Sequence, residues 1–555
     1  MYAYNDADRR LLDERVAQFR SQTERFLDGQ LDDEEFRHLR LRNGLYIQRY
    51  APMYRISVPY GQLNSRQLRK LAHITRAYDK GYAHVSTRQN IQLNWPNLAE
   101  IPDILGELAS VEMHSNQTSG NCIRNICTDH FAGVAADEVT DPRPWCELIR
   151  QWATYHPEFN WLPRKFKIAV TASATDRSVW MFNDMGVRIR RNGSGELRFD
   201  VQAGGGLGRT PIKGTVIRED LPAEDLISYL EAVLRVYNQH GRRDNKWKAR
   251  IKIIVKAFGR ETFARLVDEE WQPIKDGPLR VPAAEIARIA AHFTPPAYAQ
   301  GLPERDAAVQ QRLEADQQFR FWHRNNVFPH KVPGYAAVML SLKSTGVAPG
   351  DITDEQLDAV AGLADRYSFG EARTTHDQNM VLTDVRQAEL PALHAELLRH
   401  GFATPNIGKL TDIICCPGGS YCSLANAKSI PVATDIQRRF EDLDYLYDIG
   451  DIDLNISGCM NACGHHHLGH IGILGVDKKG EEFYQVVLGG HMGHDGELGE
   501  VLGPSFGADE VGNVVEKIIE FYMDKRLGED ERFIQTVRRL GIEPFRECVY
   551  AKHHS

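Results

Sequence analysis

Cys415-Cys416-Pro417-Gly418-Gly419-Ser420-Tyr421-Cys422 opens a stretch that Cys459-Met460-Asn461-Ala462-Cys463 closes, with thirty-six residues between Cys422 and Cys459. Four thiolates drawn together can hold a [4Fe–4S] cluster, one cysteine to each tetrahedral iron. They can also hold zinc, whose structural knuckles are usually spaced by about two to four residues. Here the first pair is C-x5-C and the second C-x3-C. A third reading is buried free cysteine, a common core residue.

With Asn461 inside the second pair and Gly464 after it, this pattern resembles the sirohaem and [4Fe–4S] signature of the assimilatory sulfite and nitrite reductase family. The resemblance implies that Cys416, Cys422, Cys459 and Cys463 ligate the cluster and that Cys463 also bridges to the sirohaem iron. Cys415 is set aside because its spacing to Cys422 is x6, where the family has x5.

The remaining sequence bounds the class. At 555 residues the chain exceeds one hydrophobic core, and about two to four domains are expected. Its 67 basic and 75 acidic residues leave a net charge of −8, which gives no argument for a nucleic-acid partner. The N-terminus runs from Met1 into Asp8-Arg9-Arg10 without an apolar signal core, and no apolar run is long enough to span a bilayer. No membrane partner is expected, and the chain reads as cytoplasmic. Nine cysteines, an odd number and partly clustered, suit a metal site better than a disulfide framework.

Leu11, Leu12, Val16, Phe19 and Phe26 recur at helical spacing, so residues 1–45 read as a helical arm ended by Asn43-Gly44. A strand begins at Tyr54-Arg55, and a helix follows over about 65–80 with Ser65 as N-cap. A second strand is expected over 84–94, its polar face carrying Ser86, Arg88, Asn90 and Gln92, with a second helix near 99–108. This unit recurs. Ser86-Thr87-Arg88-Gln89-Asn90 and the helix after it match Thr375-His376-Asp377-Gln378-Asn379 and its helix at a separation of 289 residues. A period so long suggests a duplicated half-protein, not a solenoid.

Between the copies, residues 162–170 read as a strand with Lys165 and Lys167 on one side, either solvated or facing an anion. Gly204-Gly205-Gly206-Leu207-Gly208 lacks both dinucleotide-fold and P-loop spacing. A basic helix is expected from about 245 to 258, then a proline-rich connector with one helix near 283–292. After the second small unit, strands at 452–457 and 471–475 flank the second cysteine pair. Val487-Leu488-Gly489-Gly490 echoes the earlier glycine run, and a helical tail follows Val511.

The resemblance extends from about Gly44 to Arg546 and implies an α+β fold built as a pseudo-twofold pair of halves. The implied domains are a helical arm (1–45), a first ferredoxin-like half-domain (46–115), a first sirohaem and substrate domain (116–270), a connector (271–322), a second ferredoxin-like half-domain (323–402) and a cluster and sirohaem domain (403–555). It implies that Arg55, Arg124, Lys165 and Lys167 surround a small anionic substrate. Arg88, Gln92, Asn461, Gly205, Gly206, Gly489 and Gly490 would lie against the cofactor, with Cys463 as the shared ligand. His84 departs from the family, where relatives can have arginine. His465-His466-His467 and His470 read as packing beside the cluster.

The implied activity is six-electron reduction of sulfite to sulfide. Lys165-Phe166-Lys167 favours sulfite over nitrite, because the position of Lys167 tends to be Asn in ferredoxin-dependent nitrite reductases. With no flavin or nicotinamide fingerprint, electrons must come from a separate protein, a ferredoxin or a flavoprotein. The competing reading from another class is a zinc-stabilised binding protein without catalysis.

Overall fold

The computed structural model describes residues 1–551. The helical arm forms as α1 (Asp6–Leu27) and α2 (Asp33–Arg42), each closed at its start by a capping box, Asn5 with Asp8 and Asp32 with Glu35. Phe19 and Phe36 seat the arm in the same core as the two half-domains.

The first half contributes β1 (Leu45–Ile47), β2 (Pro52–Ile56), β3 (Gln62–Asn64), α3 (Ser65–Tyr78), β4 (Tyr82–Val85), β5 (Ile91–Leu93) and α4 (Ile101–Ala109). The cap of α3 is Asn64, not Ser65: its side chain takes the Gln67 N–H while Gln67 reaches back. The expected strand over 84–94 is a hairpin. Ser86 and Asn90 close its turn by Ser86 N–H to Asn90 O at 2.9 Å, and Gln89 adopts a left-handed φ of 58°. Ser86 and Arg88 therefore sit on a turn, and the polar row read from the sequence does not exist.

A four-stranded sheet follows, β6 (Ile168–Thr171), β7 (Met185–Arg191), β8 (Leu197–Ala203) and β9 (Thr215–Pro222), parallel only between β6 and β7. The strand expected from residue 162 is regular only from Ile168. Before it, Arg124 N–H donates to Phe166 O at 2.7 Å, which lays 162–167 alongside the 121–127 segment. The basic helix starts at Ile251, after a turn at 246–249. The connector holds more than the one helix expected: Ala307–Ala315 and Gln317–Asn326 are helical, with Val309, Phe319 and Trp322 in the half-domain core.

The second half repeats the first as β10 (Val327–Pro329), β11 (Tyr335–Leu340), β12 (Asp351–Thr353), the helix Asp354–Tyr367, β13 (Glu371–Thr374), β14 (Met380–Arg386) and the helix Leu390–His400. The repeat extends to its punctuation. Thr353 and Gln356 cap their helix as Asn64 and Gln67 do, and Pro391 opens the last helix as Pro102 opens α4.

The halves exchange strands. One antiparallel sheet runs β1-β2-β5-β4-β12 and the other β10-β11-β14-β13-β3, so each half supplies the other's edge strand. One hydrophobic core spans both halves, with Leu68 and Leu71 of α3 in it beside Leu357 and Val360. The duplicated α+β fold expected from the sequence is present.

The last unit has β15 (Ile414–Cys415), β16 (Leu454–Ser457) and β17 (Ile471–Lys478) in parallel, then β18 (Glu481–Leu488) antiparallel to β17. The short strands β19 (Glu500–Val501) and β20 (Phe506–Gly507) both pair with β18. Three helices between Val511 and Tyr550 complete its core. A separate apolar cluster, with Trp180, Phe182 and Leu207 against Ala462 and Leu468, joins this unit to the middle sheet beside the second cysteine pair. Among the described residues no helix is long and apolar enough to cross a membrane.

Candidate active site

The two cysteine segments meet because glycines let their backbones touch. A Cβ on Gly458 would lie 2.6 Å from Gly418 Cα and 2.5 Å from Ala427 O, distances no side chain tolerates. This contact sets Cys416 against the second pair: its Sγ accepts the Gly458 N–H at 3.2 Å. Ala462 sits at a left-handed φ of 54° inside the Cys459–Cys463 loop, a strained conformation of the kind that gathers at functional sites. Asn461 Nδ2 lies 3.5 Å from Cys459 Sγ, and Thr87 Oγ1 donates to Cys463 O at 2.8 Å, which ties the loop to the first hairpin turn.

Cys416, Cys422, Cys459 and Cys463 line one cavity of about 300 Å³. Cys415 is in the core below and does not line it, so the structure puts Cys416 on the cavity. Among the described residues no three His, Cys, Asp or Glu side chains converge on the position of one metal ion. Four thiols on one cavity suit a cluster with one cysteine at each corner. Burial pushes the Cys416 thiol up to about 12, with Cys463 adding to the shift, and it also raises Cys422 and Cys459. Gathering these groups as thiolates therefore requires positive charge between them.

The opposite wall is cationic. Arg55, Gln92, Arg124, Arg164 and Lys165 line the same cavity, as does Asn461. Strand alternation explains the first two. Tyr54 and Ile56 face the core, Arg55 faces away, and Arg55 pairs in register with Gln92. Arg55 Nε donates to Gln92 Oε1 at 2.8 Å, and both Arg55 and Arg124 donate to Thr118 O, at 3.2 and 2.8 Å. Lys167 and Arg88 line a second, smaller cavity with His376 and His465. Arg88 is held by Asn183 Oδ1 at 2.8 Å and Asn125 O at 2.5 Å. Asp184 anchors the lysine segment from beneath, accepting the Lys167 N–H at 2.8 Å and both arms of Arg250 at 2.7 Å.

Arg55, Arg88, Arg124, Arg164, Lys165 and Lys167 all bond to neutral groups or stand free. Among the described residues none has a carboxylate within ion-pair distance. Burial and the Arg124 charge bring Lys165 down to about 7. Burial and the Lys165 charge hold Lys167 well below the usual lysine range. Four arginines and two lysines on these cavities, without counter-charge, suit the binding of anions.

The other expected site residues lie elsewhere. A Cβ on Gly490 would lie 2.6 Å from Gly469 O and His467 O, so that glycine is explained by protein packing. Gly205 is likewise pressed on the Asn183 and Met181 carbonyls. Gly206 lies under Arg250, and Gly489 turns at φ 84°. None of the four lines either cavity. His84 bonds Asp351 at 2.8 Å and Gln378 at 3.0 Å, and joins the halves. In the second copy Asp377 replaces Arg88; it lies 3.0 Å from His376, and its carbonyl accepts from Lys343. Sequence reading missed Arg164 and Tyr46 on the cavity wall. Arg164 was signalled by its place in the Arg164-Lys165-Phe166-Lys167 run; Tyr46 carried no signal.

Four thiols and several unpaired basic side chains on one cavity suit an iron–sulfur oxidoreductase. The chain belongs to the nitrite and sulphite reductase family: the description "Nitrite and sulphite reductase 4Fe-4S domain" matches residues 119–275 and 408–555, which include all four cysteines. The "Nitrite/Sulfite reductase ferredoxin-like half domain" matches 48–111 and 334–400. A ferredoxin-dependent sulfite reductase of Mycobacterium tuberculosis is 28% identical over 89% of this chain and 83% of its own length. A ferredoxin–nitrite reductase of Synechococcus elongatus is 28% identical over 84% of this chain and 85% of its own. The solved structure of the Mycobacterium tuberculosis NirA protein superposes with a TM-score of 0.76 at 26% identity, covering 93% of this chain and 92% of the other.

Proposed function

We propose that the chain reduces sulfite to sulfide at a sirohaem coupled through Cys463 to a [4Fe–4S] cluster held by Cys416, Cys422, Cys459 and Cys463. The observation that carries this reading is that Arg55, Arg124, Arg164 and Lys165, none with a carboxylate partner, line the cavity that the four thiols line, while Arg88 and Lys167 line a second, smaller one. A macrocycle rich in carboxylates and a dianionic substrate together supply the missing counter-charge. Bound there, the sirohaem and cluster supply the six electrons to one sulfur atom.

The residues of the chain divide the remaining work. Arg55 and Arg124 are fixed through the shared Thr118 carbonyl, and their free N–H groups bind substrate oxygens. Gln92 gives its oxygen to Arg55 and keeps its N–H groups for the cofactor, and Arg88 offers its guanidinium from the smaller cavity. Lys165 and Lys167 polarise the S–O bonds and pass protons as water leaves. Two lysines here, where a nitrite reductase tends to have Asn at the second, support sulfite. Electrons arrive from a separate protein; the names of the relatives support a ferredoxin, with a flavoprotein as the alternative.

The test is a visible spectrum of protein made with sirohaem synthesis supported, followed by anaerobic turnover with a reduced viologen. Sirohaem bands with kcat/KM favouring sulfite are expected. Preference for nitrite would overturn the role given to Lys167, and a colourless zinc protein would overturn the enzyme.

A further inference from the structure

Of the ionisable groups on the cavity wall that the reading above leaves without a task, Tyr46 is the one on the same sheet face as Arg55. Tyr46 is the middle residue of β1, paired in register with Met53 of β2. Its neighbour Leu45 is fully buried in the half-domain core, so alternation turns Tyr46 to the other face of the sheet. That face carries Met53, Arg55, Gln92 and Asn94, and all of them line the cavity with Tyr46. Arg55 is the diagonal cross-strand neighbour of Tyr46, and its guanidinium stands 5.3 Å from the Tyr46 ring centroid. Arg124 and Ser119 flank the phenol.

We propose that the Tyr46 phenol is a proton donor to the oxyanion held by Arg55 and Arg124. The inference rests on the assignment of this cavity as the substrate pocket. Arginine does not release a proton at working pH, so Arg55 and Arg124 bind an oxyanion without protonating it, and the two lysines are left to serve the second proton. A hydroxyl on the same sheet face supplies the first. Its O–H bond breaks and the proton passes to a substrate oxygen, which departs as water when a second proton joins it. The electrons for the bond broken at sulfur come from the external donor. The phenolate stays against Arg124 and Arg55 until a water molecule returns the proton.

The electrostatics agree. Burial alone would raise this phenol, but the nearby Arg124 and Arg55 charges outweigh it and bring the group below the ordinary tyrosine value. Tyr54, buried elsewhere in the same half, and the half-buried Tyr82 go the other way, up.

The experiment is Tyr46→Phe in the fully loaded enzyme. The visible spectrum checks loading, and the shift of that spectrum on adding sulfite gives Kd. Expected are a wild-type spectrum, a Kd within about threefold of wild type, and a kcat lower by about 100-fold, the usual scale of general-acid catalysis. The variant should also acquire a turnover that rises with the concentration of buffer acid, because a small external acid replaces the missing proton; the wild type should not respond. Undiminished kcat would overturn the proposal and leave the pocket assignment standing. Loss of sulfite affinity in parallel with kcat, with no response to buffer acid, would also overturn it, since Tyr46 would then only shape the pocket. A wild-type protein that neither binds nor reduces the anion would overturn the pocket assignment and this proposal together.

Discussion

Gln89 and Gln378 hold the same position in two hairpin turns, and each crosses into the other half. Gln89 Nε2 donates to Thr374 O at 3.3 Å, and Gln378 Nε2 donates to Val85 O at 3.0 Å. Both have left-handed backbones, φ 58° and 63°. Each also accepts from the domain behind it, Gln89 from the Thr128 N–H at 3.2 Å and Gln378 from the Cys415 N–H at 2.7 Å. The pseudo-twofold relation thus runs through single hydrogen bonds. On one side it ends at Thr128, which lines the smaller cavity, and on the other at the residue before Cys416.

Gln378→Leu should therefore cost more than its size suggests. It leaves the buried Cys415 N–H without a partner, a loss of about 1–3 kcal/mol. The denaturation midpoint should fall accordingly, while an exposed glutamine such as Gln310, changed the same way, should leave it in place.

Cys416→Ser and Cys415→Ser should separate ligand from packing. The first should lower iron and acid-labile sulfide per chain, because a corner of the cluster is lost. The second should leave both unchanged and affect only stability. Equal iron loss in both would place the ligand assignment in error.

Asp184 has no exposed side chain and holds Arg250 by two bonds while fixing the Lys167 backbone. Asp184→Ala strands a buried guanidinium, and breaking such a pair costs about 3–5 kcal/mol. Denaturant titration measures this directly; a change below about 1 kcal/mol would contradict the pairing described.

Lys165 gives a pH dependence whose sign is opposite to that of a salt-bridged lysine. Its folded value, about 7, lies below the ordinary 10.5, so between these values the unfolded chain binds more protons. In protein made without cofactors, stability should rise as pH climbs from about 7 towards 10.5, and below 7 the penalty is present in full. Lys165→Met should flatten that rise in a series of denaturation curves at different pH.

Lys167→Asn should shift the ratio of kcat/KM values from sulfite towards nitrite, measured anaerobically with one dye for both anions. An unchanged ratio would remove the basis for preferring sulfite.

The sequence made the duplicated unit and the two cysteine pairs legible because both are local patterns. Gln-Asn at the end of each hairpin turn and Pro at the start of each following helix survive in both copies. The hairpin at 86–90 was misread because its residues alternate like a strand, and only the left-handed Gln89 reveals the reversal. Arg55, Arg124, Lys165 and Lys167 could be read singly, but their lack of counter-charge is a property of the assembled cavities. Tyr46 was invisible for the same reason: a lone tyrosine in a three-residue strand means nothing until Arg55 stands over it. Strand exchange left no trace either, since an edge strand has the same pattern whichever sheet it joins.

That exchange has a consequence for how the molecule is made. During synthesis, the first half emerges with β3 waiting for β13 and β4 waiting for β12, and neither partner exists until the chain has passed residue 351. The first half must wait on the ribosome with two unpaired edges. The continuous chain then turns what would be an encounter between two molecules into a loop closure, whose cost grows only slowly with length. A cut in the connector near residue 300 would remove that advantage, and the two pieces would recover the fold only at concentrations high enough to find each other.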